Sequence, residues 1–404
     1  MTNTAVTCSI VAKEALPILA NMLGFASNVN RDFEDEFKGN VGRGYMPGQT
    51  INIKKPPRYT YRQGRVAVPQ ATTETSLPLT LSQGGCDLNF NSLECTLSFN
   101  KLEDEVRAAM EPVANEIDRQ GLQLARLATF NAIGTPGTLP TTQALALAAI
   151  TGVNQRLDEM GAPRKDNRRA FIMNPALNGA TVQGFAGLFN SQKTLSQQFE
   201  GGMMVDSLGL AYAMDQNVDV HTNGTANVTT NTVNGATQTG STITVNALNG
   251  TVTKGSKVIF AGVFAVNPQS RQSTGTLAQF TVTADAANGA TSLAISPALT
   301  PTGAFQNVTA SPANGAAITI FGTASGSYAA NVAYHKDAFT LAMVPMWAPP
   351  GGKGVIDVAQ ESYKGFTMKV TEFYDGINDN SIMRIDVLFG WAATYPELAC
   401  LYGT

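Results

Sequence analysis

Residues 222–333 hold only four charged side chains, Lys254, Lys257, Arg271 and Asp285. Flanking them on both sides is sequence of ordinary mixed composition, helix-like before Asn217 and strand-like after Tyr334. The block therefore reads as an all-β insertion, residues 222–333, within an α+β host. Inside it Asn234-Gly235, Asn249-Gly250, Asn288-Gly289 and Asn314-Gly315 separate short β-prone runs at 241–245, 257–260, 280–283, 292–295 and 318–321. Asn-Gly pairs predict type I′ hairpin turns, whose two central residues both need positive φ. Five or six short strands at this spacing predict a small barrel or sandwich, and no fixed period makes it a repeat array.

The 404 residues exceed one ordinary domain, so two or three compact units are expected. Charged residues are 14% of the chain, against about 25% in typical soluble proteins. With 43% hydrophobic residues and no unbroken apolar run of about 18, this points away from membrane spans and toward surface buried between subunits. Residues 1–7 are small and polar, so no secretory signal is expected. Cys8, Cys86, Cys95 and Cys400 lack CxxC spacing and read as free thiols. The sequons at Asn223, Asn227, Asn249 and Asn307 read as turn chemistry. A net charge of -3 supplies no bulk attraction to nucleic acid.

Along the chain, residues 1–37 read as an arm. A helix over 9–23 carries Ile10, Ala15, Ile18, Leu19 and Met22, with Gly24 as its stop, and an acidic stretch with Phe33 and Phe37 follows. An arm of this kind is expected to pack on a partner subunit. Residues 38–99 alternate with period two but are broken by Pro47, Pro56, Pro57, Pro69 and Pro78, which predicts an extended two-stranded β-loop. Residues 100–134 predict a long spine-like helix with Asn100 as N-cap and a stripe of Val106, Met110, Val113, Ile117, Leu124 and Leu127, bent at Pro112 and Gly121. Residues 135–221 predict a mixed α/β segment, with a helix over 141–160 and a buried strand in 169–175. Residues 334–404 return as strands.

Between Glu36 and Glu74 there is no acid, whereas Lys38, Arg43, Lys54, Lys55, Arg58, Arg62 and Arg65 fall there, interleaved with Tyr45, Tyr59 and Tyr61. Two readings fit. A single-stranded nucleic-acid groove needs cations for phosphates and π-faces for bases. A protruding loop could instead meet acids on a neighbouring subunit, and the glycines and prolines favour this second reading. Candidate acids are Glu34, Asp35, Glu36, Glu103, Asp104 and Glu105. Exposed pairs contribute about 0.2–1 kcal/mol each, so such a set fixes register more than it supplies affinity. His221 and His335 stand at the two edges of the insertion without ligand-spaced neighbours. Gly351, Gly352, Lys353 and Gly354 lack the context of a phosphate loop, and no GxSxG elbow is present. No catalytic residue, cofactor or metal site is expected.

Several stretches carry a resemblance. They are Arg169 to Pro175 with its aromatic-x-x-Asn-Pro ending, Gly255 to Val263 (GSKVIFAGV), Asp337 to Met343 (DAFTLAM), and the Gly-Trp-x-Ala-x-x-Pro-Glu run within 384–403. In this order the chain resembles the major capsid (coat) proteins of short-tailed double-stranded-DNA bacteriophages, the podovirus branch with an inserted β-barrel. The resemblance implies the tailed-phage capsid fold, with arm, extended loop, spine helix, peripheral and axial domains. It implies a homo-oligomeric icosahedral shell of pentamers and hexamers, assembled in the bacterial cytoplasm with scaffolding and portal proteins, enclosing DNA without reading its sequence. The insertion would lie on the outer surface. Relatives carry a longer charged loop where this chain has the uncharged stretch 232–240, so that loop's salt bridges are not expected here. Two other classes compete. A secreted or surface-layer adhesive protein would predict a signal and a tandem array, and a nucleic-acid-binding protein would predict a basic domain.

Overall fold

The computed structural model describes residues 8–34, 37, 49–67, 69–72, 74–91, 102–164, 166, 168–185, 207–348, 355–363, 365–378 and 380–404. The chain falls into two compact units, one of Met1–Ile53, Ser76–Gly121 and Thr340–Ala392, the other of Lys54–Thr75, Leu122–Phe339 and Ala393–Thr404.

In the first unit, helix α1 (Cys8–Met22) buries Cys8, Val11, Ala12, Ala15, Leu16 and Leu19, a stripe at helical spacing. It packs on strands β16 (Asp357–Tyr363) and β17 (Phe366–Asp375). Cys8 N donates to Asp357 and Ser9 Oγ to Glu361, so the helix lies on the strand face that also carries Ala359, Met368 and Val370. The arm was expected to need a partner subunit. Its helix instead finds its apolar surface on its own chain. Beyond α1, buried Asp118 on helix α2 (Leu102–Ala128) accepts the backbone N–H groups of Gly24, Phe25 and Ala26 at 2.7, 3.1 and 2.9 Å. Phe37 joins Ile51, Ile53, Leu79, Leu81, Ala342 and Ala392 in a small core.

The longest strand of this unit, β18 (Asn380–Ala392), pairs antiparallel with β17, β15 (Thr340–Met343) and β3 (Ser82–Asn91), while β16 extends β17. Strands β1 (Thr50–Lys55) and β2 (Thr75–Thr80) form a separate two-stranded ribbon. Helix α2 continues through Pro112. Gly121, expected to bend it, has a packing role. Phe25 and Trp391 stack at 5.2 Å between ring centroids, and a Cβ on Gly121 would sit 2.6 Å from Trp391 and 2.8 Å from Phe25.

In the second unit, α2 ends at Ala128 rather than at Ile133. Residues 132–133 form strand β4 (Ala132–Ile133), parallel to β19 (Ala399–Gly403). The Gln279 side chain accepts from Ala132 N at 2.7 Å and donates to Ala132 O at 2.8 Å. The Gln279 side chain, together with pairing to β19, thus takes the backbone groups that another helical turn would use. Asn100 lies outside the described residues. The sheet runs β4-β19-β14-β5-β6, where β14 is Ser327–His335, β5 is Arg169–Met173 and β6 is Ala211–Met214. Helices α3 (Gln143–Glu159) and α4 (Pro175–Phe185) supply Ile150, Val153, Leu157, Leu177 and Phe185 to its core. Asn174 Oδ1 accepts from Leu177 N at 2.9 Å, so the Asn-Pro ending of the strand motif caps α4 with proline at its first position. Arg169, buried at the start of β5, donates to Ala162 O and Asp158 at 2.6 Å and to Pro163 O at 2.9 Å.

Strand β7 (Val220–Thr222) pairs antiparallel with β14 across Thr222–Ser327, His221–Tyr328 and Val220–Ala329. The chain therefore leaves for the uncharged block and returns from it on adjacent strands. Within the block, β8 (Asn231–Thr232), β9 (Gly240–Thr244), β10 (Lys257–Val266), β11 (Ser273–Val282), β12 (Ser292–Leu299) and β13 (Ala317–Ile320) are ordered β8-β13-β10-β11-β12-β9, all pairs antiparallel. The end strands meet as well. Val233 bridges Val245, with Asn246 N donating to Thr232 O at 2.9 Å and Asn234 N to Thr244 O at 3.0 Å. Inside lie Val245, Phe260, Phe280, Ile295 and Ile318, joined by Phe130 and Met160 from outside the block.

The Asn-Gly turns differ from expectation. None of their asparagines has positive φ, whereas Gly289 and Gly315 do, at 80° and 78°. Bonds from Ala290 N to Ala287 O and from Ala316 N to Ala313 O close these turns with glycine third, the type II pattern. Gly250 has no positive φ. It is required because an added Cβ would lie 2.5 Å from the Ala226 backbone.

Gly121→Ala should destabilise the first unit by about 1–3 kcal/mol, the usual cost of overpacking a rigid aromatic contact. Urea unfolding followed by Trp fluorescence checks this, since Trp391 is one of the two tryptophans.

Candidate functional site

The basic segment is the site the sequence singles out. Of the candidate contact residues, Asp35, Glu36, Lys38 and Arg43 lie outside the described residues, and Glu103, Asp104 and Glu105 lie in the first turns of α2 with their side chains outside them. Glu34 is engaged within its own chain, 2.7 Å from Arg31 and accepting from Met343 N. Lys54 meets Glu74 at 3.1 Å in the open. Arg58 meets Glu397 at 3.0 Å and lies over the Phe305 ring. The Lys55 ammonium stands 5.4 Å from the Tyr395 ring centroid, and burial lowers its pKa against the opposing pull of Glu397.

Side-chain bonds clamp the two limbs of this segment. Gln70 accepts from Thr60 N at 2.8 Å and donates to Thr60 O at 2.7 Å, as a strand neighbour's backbone would. The Tyr59 and Thr72 hydroxyls meet at 3.1 Å, and Arg271 donates to Tyr59 O at 3.0 Å. The tip is different in character. Tyr61 is 91% exposed and Val66 79%, with Arg62 and Arg65 exposed beside them. Arg62 bonds only back to Gly64 O in the described contacts.

A second constellation escaped sequence reasoning, which marks only His221 as an edge of the block and Lys257 as one of its four charges. Lys257 is fully buried, and its Nζ donates to Arg126 O at 2.8 Å and to Thr281 Oγ1 at 2.9 Å. Burial, aided by Arg126, holds its pKa well below the ordinary lysine range. Arg126 donates through Nε to Asp219 at 2.6 Å and lies 2.9 Å from His221 Nδ1. A guanidinium has donors only, so His221 Nδ1 accepts, and Nε2–H faces Ser256 Oγ at 3.1 Å. The ring is therefore neutral. Burial first, then Arg126 and Lys257, press its pKa down to about 4. His335 differs, since its Nε2 meets Asp166 at 2.8 Å.

Of the block's other charges, Asp285 accepts from Lys254 N at 2.6 Å. The short loop after β8 closes on itself, because Gln238 donates to Asn234 O and Thr244 O and accepts from Thr244 N. Among the described residues no group of three or more His, Cys, Asp or Glu could hold a metal ion, and no helix is long and apolar enough to cross a membrane. The buried Cys8 and Cys400 thiols are pushed up to about 12, chiefly by burial, which leaves them weak nucleophiles.

The family described as P22 coat protein, gene protein 5, matches residues 87–403, more than three quarters of the chain. The chain belongs to this family. It is a coat protein, the structural major capsid protein of a tailed phage. No curated protein sequence matches it. Among solved structures, a protein of Mycobacterium phage Che8 is 12% identical over 94% of this chain and 90% of that one, with a TM-score of 0.49. The mature capsid of bacteriophage PhiM1 is 10% identical over 88% and 82%, with a TM-score of 0.44, and the virus-like particle of Pyrococcus furiosus is 8% identical over 97% of both chains, at 0.40. With TM-scores this low, these likenesses carry no part of the assignment, which stands on the family match.

The coat protein's buried His221 makes its stability depend on pH. The unfolded histidine takes up a proton near 6.5 and the folded one near 4, so stability falls as pH drops through that window, by about 3 kcal/mol in full. Urea titrations at neutral pH and at the acidic end of the window should show a smaller loss for His221→Asn than for the natural chain. Equal losses would mean that the ring is protonated in the native state.

Proposed function

We propose that this coat protein is the shell subunit of a short-tailed phage, adopting the tailed-phage capsid fold with the closed six-stranded sheet as an inserted outer β-barrel. In this reading residues 1–37 are the arm, 38–99 the extended loop, 100–134 the spine helix, 135–221 the axial domain, 222–333 the insertion and 334–404 the returning strands. Pentamers and hexamers build an icosahedral shell in the host cytoplasm, with scaffolding and portal proteins, around double-stranded DNA that is enclosed without being read. The protein does no chemistry.

One observation carries the contact assignment. The limbs at 54–60 and 69–74 are clamped, whereas the tip between them presents Tyr61 and Val66 with Arg62 and Arg65. Large apolar side chains held out on a fixed loop mark a surface meant to be covered. The acids they would meet belong to an adjacent copy. Lys55 and Arg58 act at the base, where they are occupied with Tyr395 and Glu397.

Expression with the phage's scaffolding protein, followed by electron microscopy, tests the reading. The natural chain should form closed shells, and monomers alone under assembly conditions would refute it. Arg62→Glu with Arg65→Glu should reduce particle yield severely while leaving the melting temperature of the monomer unchanged. An unaltered yield would remove the tip from the interface.

A further inference from the structure

Ser207 and Leu210 close a two-residue turn on each other, Ser207 N donating to Leu210 O at 3.2 Å and Leu210 N to Ser207 O at 3.1 Å. The central residues, Leu208 and Gly209, both have positive φ, at 53° and 78°, which is the type I′ pattern. Glycine adopts this conformation freely and asparagine readily, but a leucine Cβ crowds the backbone there. Of the four non-glycine residues at positive φ among the described residues, Leu208 is the apolar one. It is also 41% exposed. Leucine thus suits neither the conformation nor the solvation of this position, in a chain that carries Asn-Gly elsewhere, as at 288–289 and 314–315.

Backbone strain persists where the surroundings fix it, and it gathers where a particular side chain is needed. The turn is fixed here. Leu208 O accepts from Asn154 Nδ2 at 3.1 Å and from Arg164 at 3.4 Å, and Asn154 is buried with its Oδ1 held by Arg169. The leucine backbone is pinned while its side chain is left to solvent. Beside the turn, two guanidiniums share one carboxylate, Asp158 meeting buried Arg169 at 2.6 Å and half-exposed Arg164 at 3.2 Å. The positive charge in excess is therefore presented by Arg164. The turn leads into β6, the last strand in its sheet order, where Met214 is exposed as well.

We propose that Leu208 is a contact residue between copies of this coat protein. Its side chain enters an apolar recess on a second copy, and a carboxylate of that copy meets Arg164. The inference rests on the shell reading above. In a shell whose subunits are this chain, the surface at hand to cover an exposed apolar residue is another copy, and each copy has acids in surplus, 30 against 27 basic residues. An isolated chain would be better served by asparagine or glycine at 208, and only burial against a partner favours leucine.

Leu208→Asn separates stability from assembly, because it relieves the turn and removes the apolar contact together. The melting temperature of the monomer should hold level or rise by about 1–3 °C. In assembly with the phage's scaffolding protein, the coat concentration that gives half-maximal shell formation should rise about three- to tenfold. Arg164→Gln should raise it as well. A lowered melting temperature for Leu208→Asn would show that the leucine packs within its own chain and would overturn the proposal. Assembly of either folded variant at the natural concentration would do the same while leaving the shell reading intact, whereas no shells from the natural chain would overturn both.

Discussion

The end of the long helix sets the terms for the second unit of this coat protein. A helix C-terminus presents carbonyls without intrahelical partners and a partial negative charge. Here the donors come from strands far along the chain. Lys257 reaches Arg126 O, the Thr281 hydroxyl reaches Thr129 O at 2.9 Å, and Gln279 takes both backbone groups of Ala132. These three residues lie on β10 and β11, so the inserted sheet is seated on the helix terminus by side chains replacing the next helical turn. Burying an ammonium is costly, and only direct contact with carbonyl and hydroxyl oxygens makes it tolerable. Arg126 cannot move without breaking the network, being held by Asp219 and His221.

That arrangement explains why a block of more than a hundred residues can be so nearly uncharged. Three of its four charges serve attachment and turn closure. Lys257 seats the sheet, Arg271 ties it to the base of the extended segment through Tyr59 O, and Asp285 closes a turn on Lys254 N. The other polar groups are amides and hydroxyls that satisfy backbone locally, as Gln238 and Asn307 do. The end strands of its sheet, β8 and β9, also meet beside the Val233–Val245 bridge.

Much of this was legible along the chain. Short β-prone runs between Asn-Gly pairs marked β9 to β13, and helical spacing marked α1 and the stripe of α2. The errors share a cause. Ile133 was placed in a helix because the stripe continued, but strand pairing with β19 competed successfully for residues 132–133. Asn-Gly was read as a type I′ turn, yet only glycine took positive φ, and at Gly250 the requirement was room for the Ala226 backbone. The arm reads as needing a neighbour because nothing local reveals that β16 and β17, more than 300 residues away, offer its helix a face.

The sequence by itself determined what depends on neighbours in the chain: the periodicity of helices and strands, the block with only four charges, the basic run without acids, and the ordered motifs that mark a coat protein. The tertiary structure decided which charges are spent internally and which remain outward. Arg58 and Arg62 look alike in sequence, four residues apart in one basic run. One finds Glu397 and Phe305, and the other is left at an exposed tip. A charge partner is chosen by distance in space and by the solvent removed around it, and neither is written in the local order of residues.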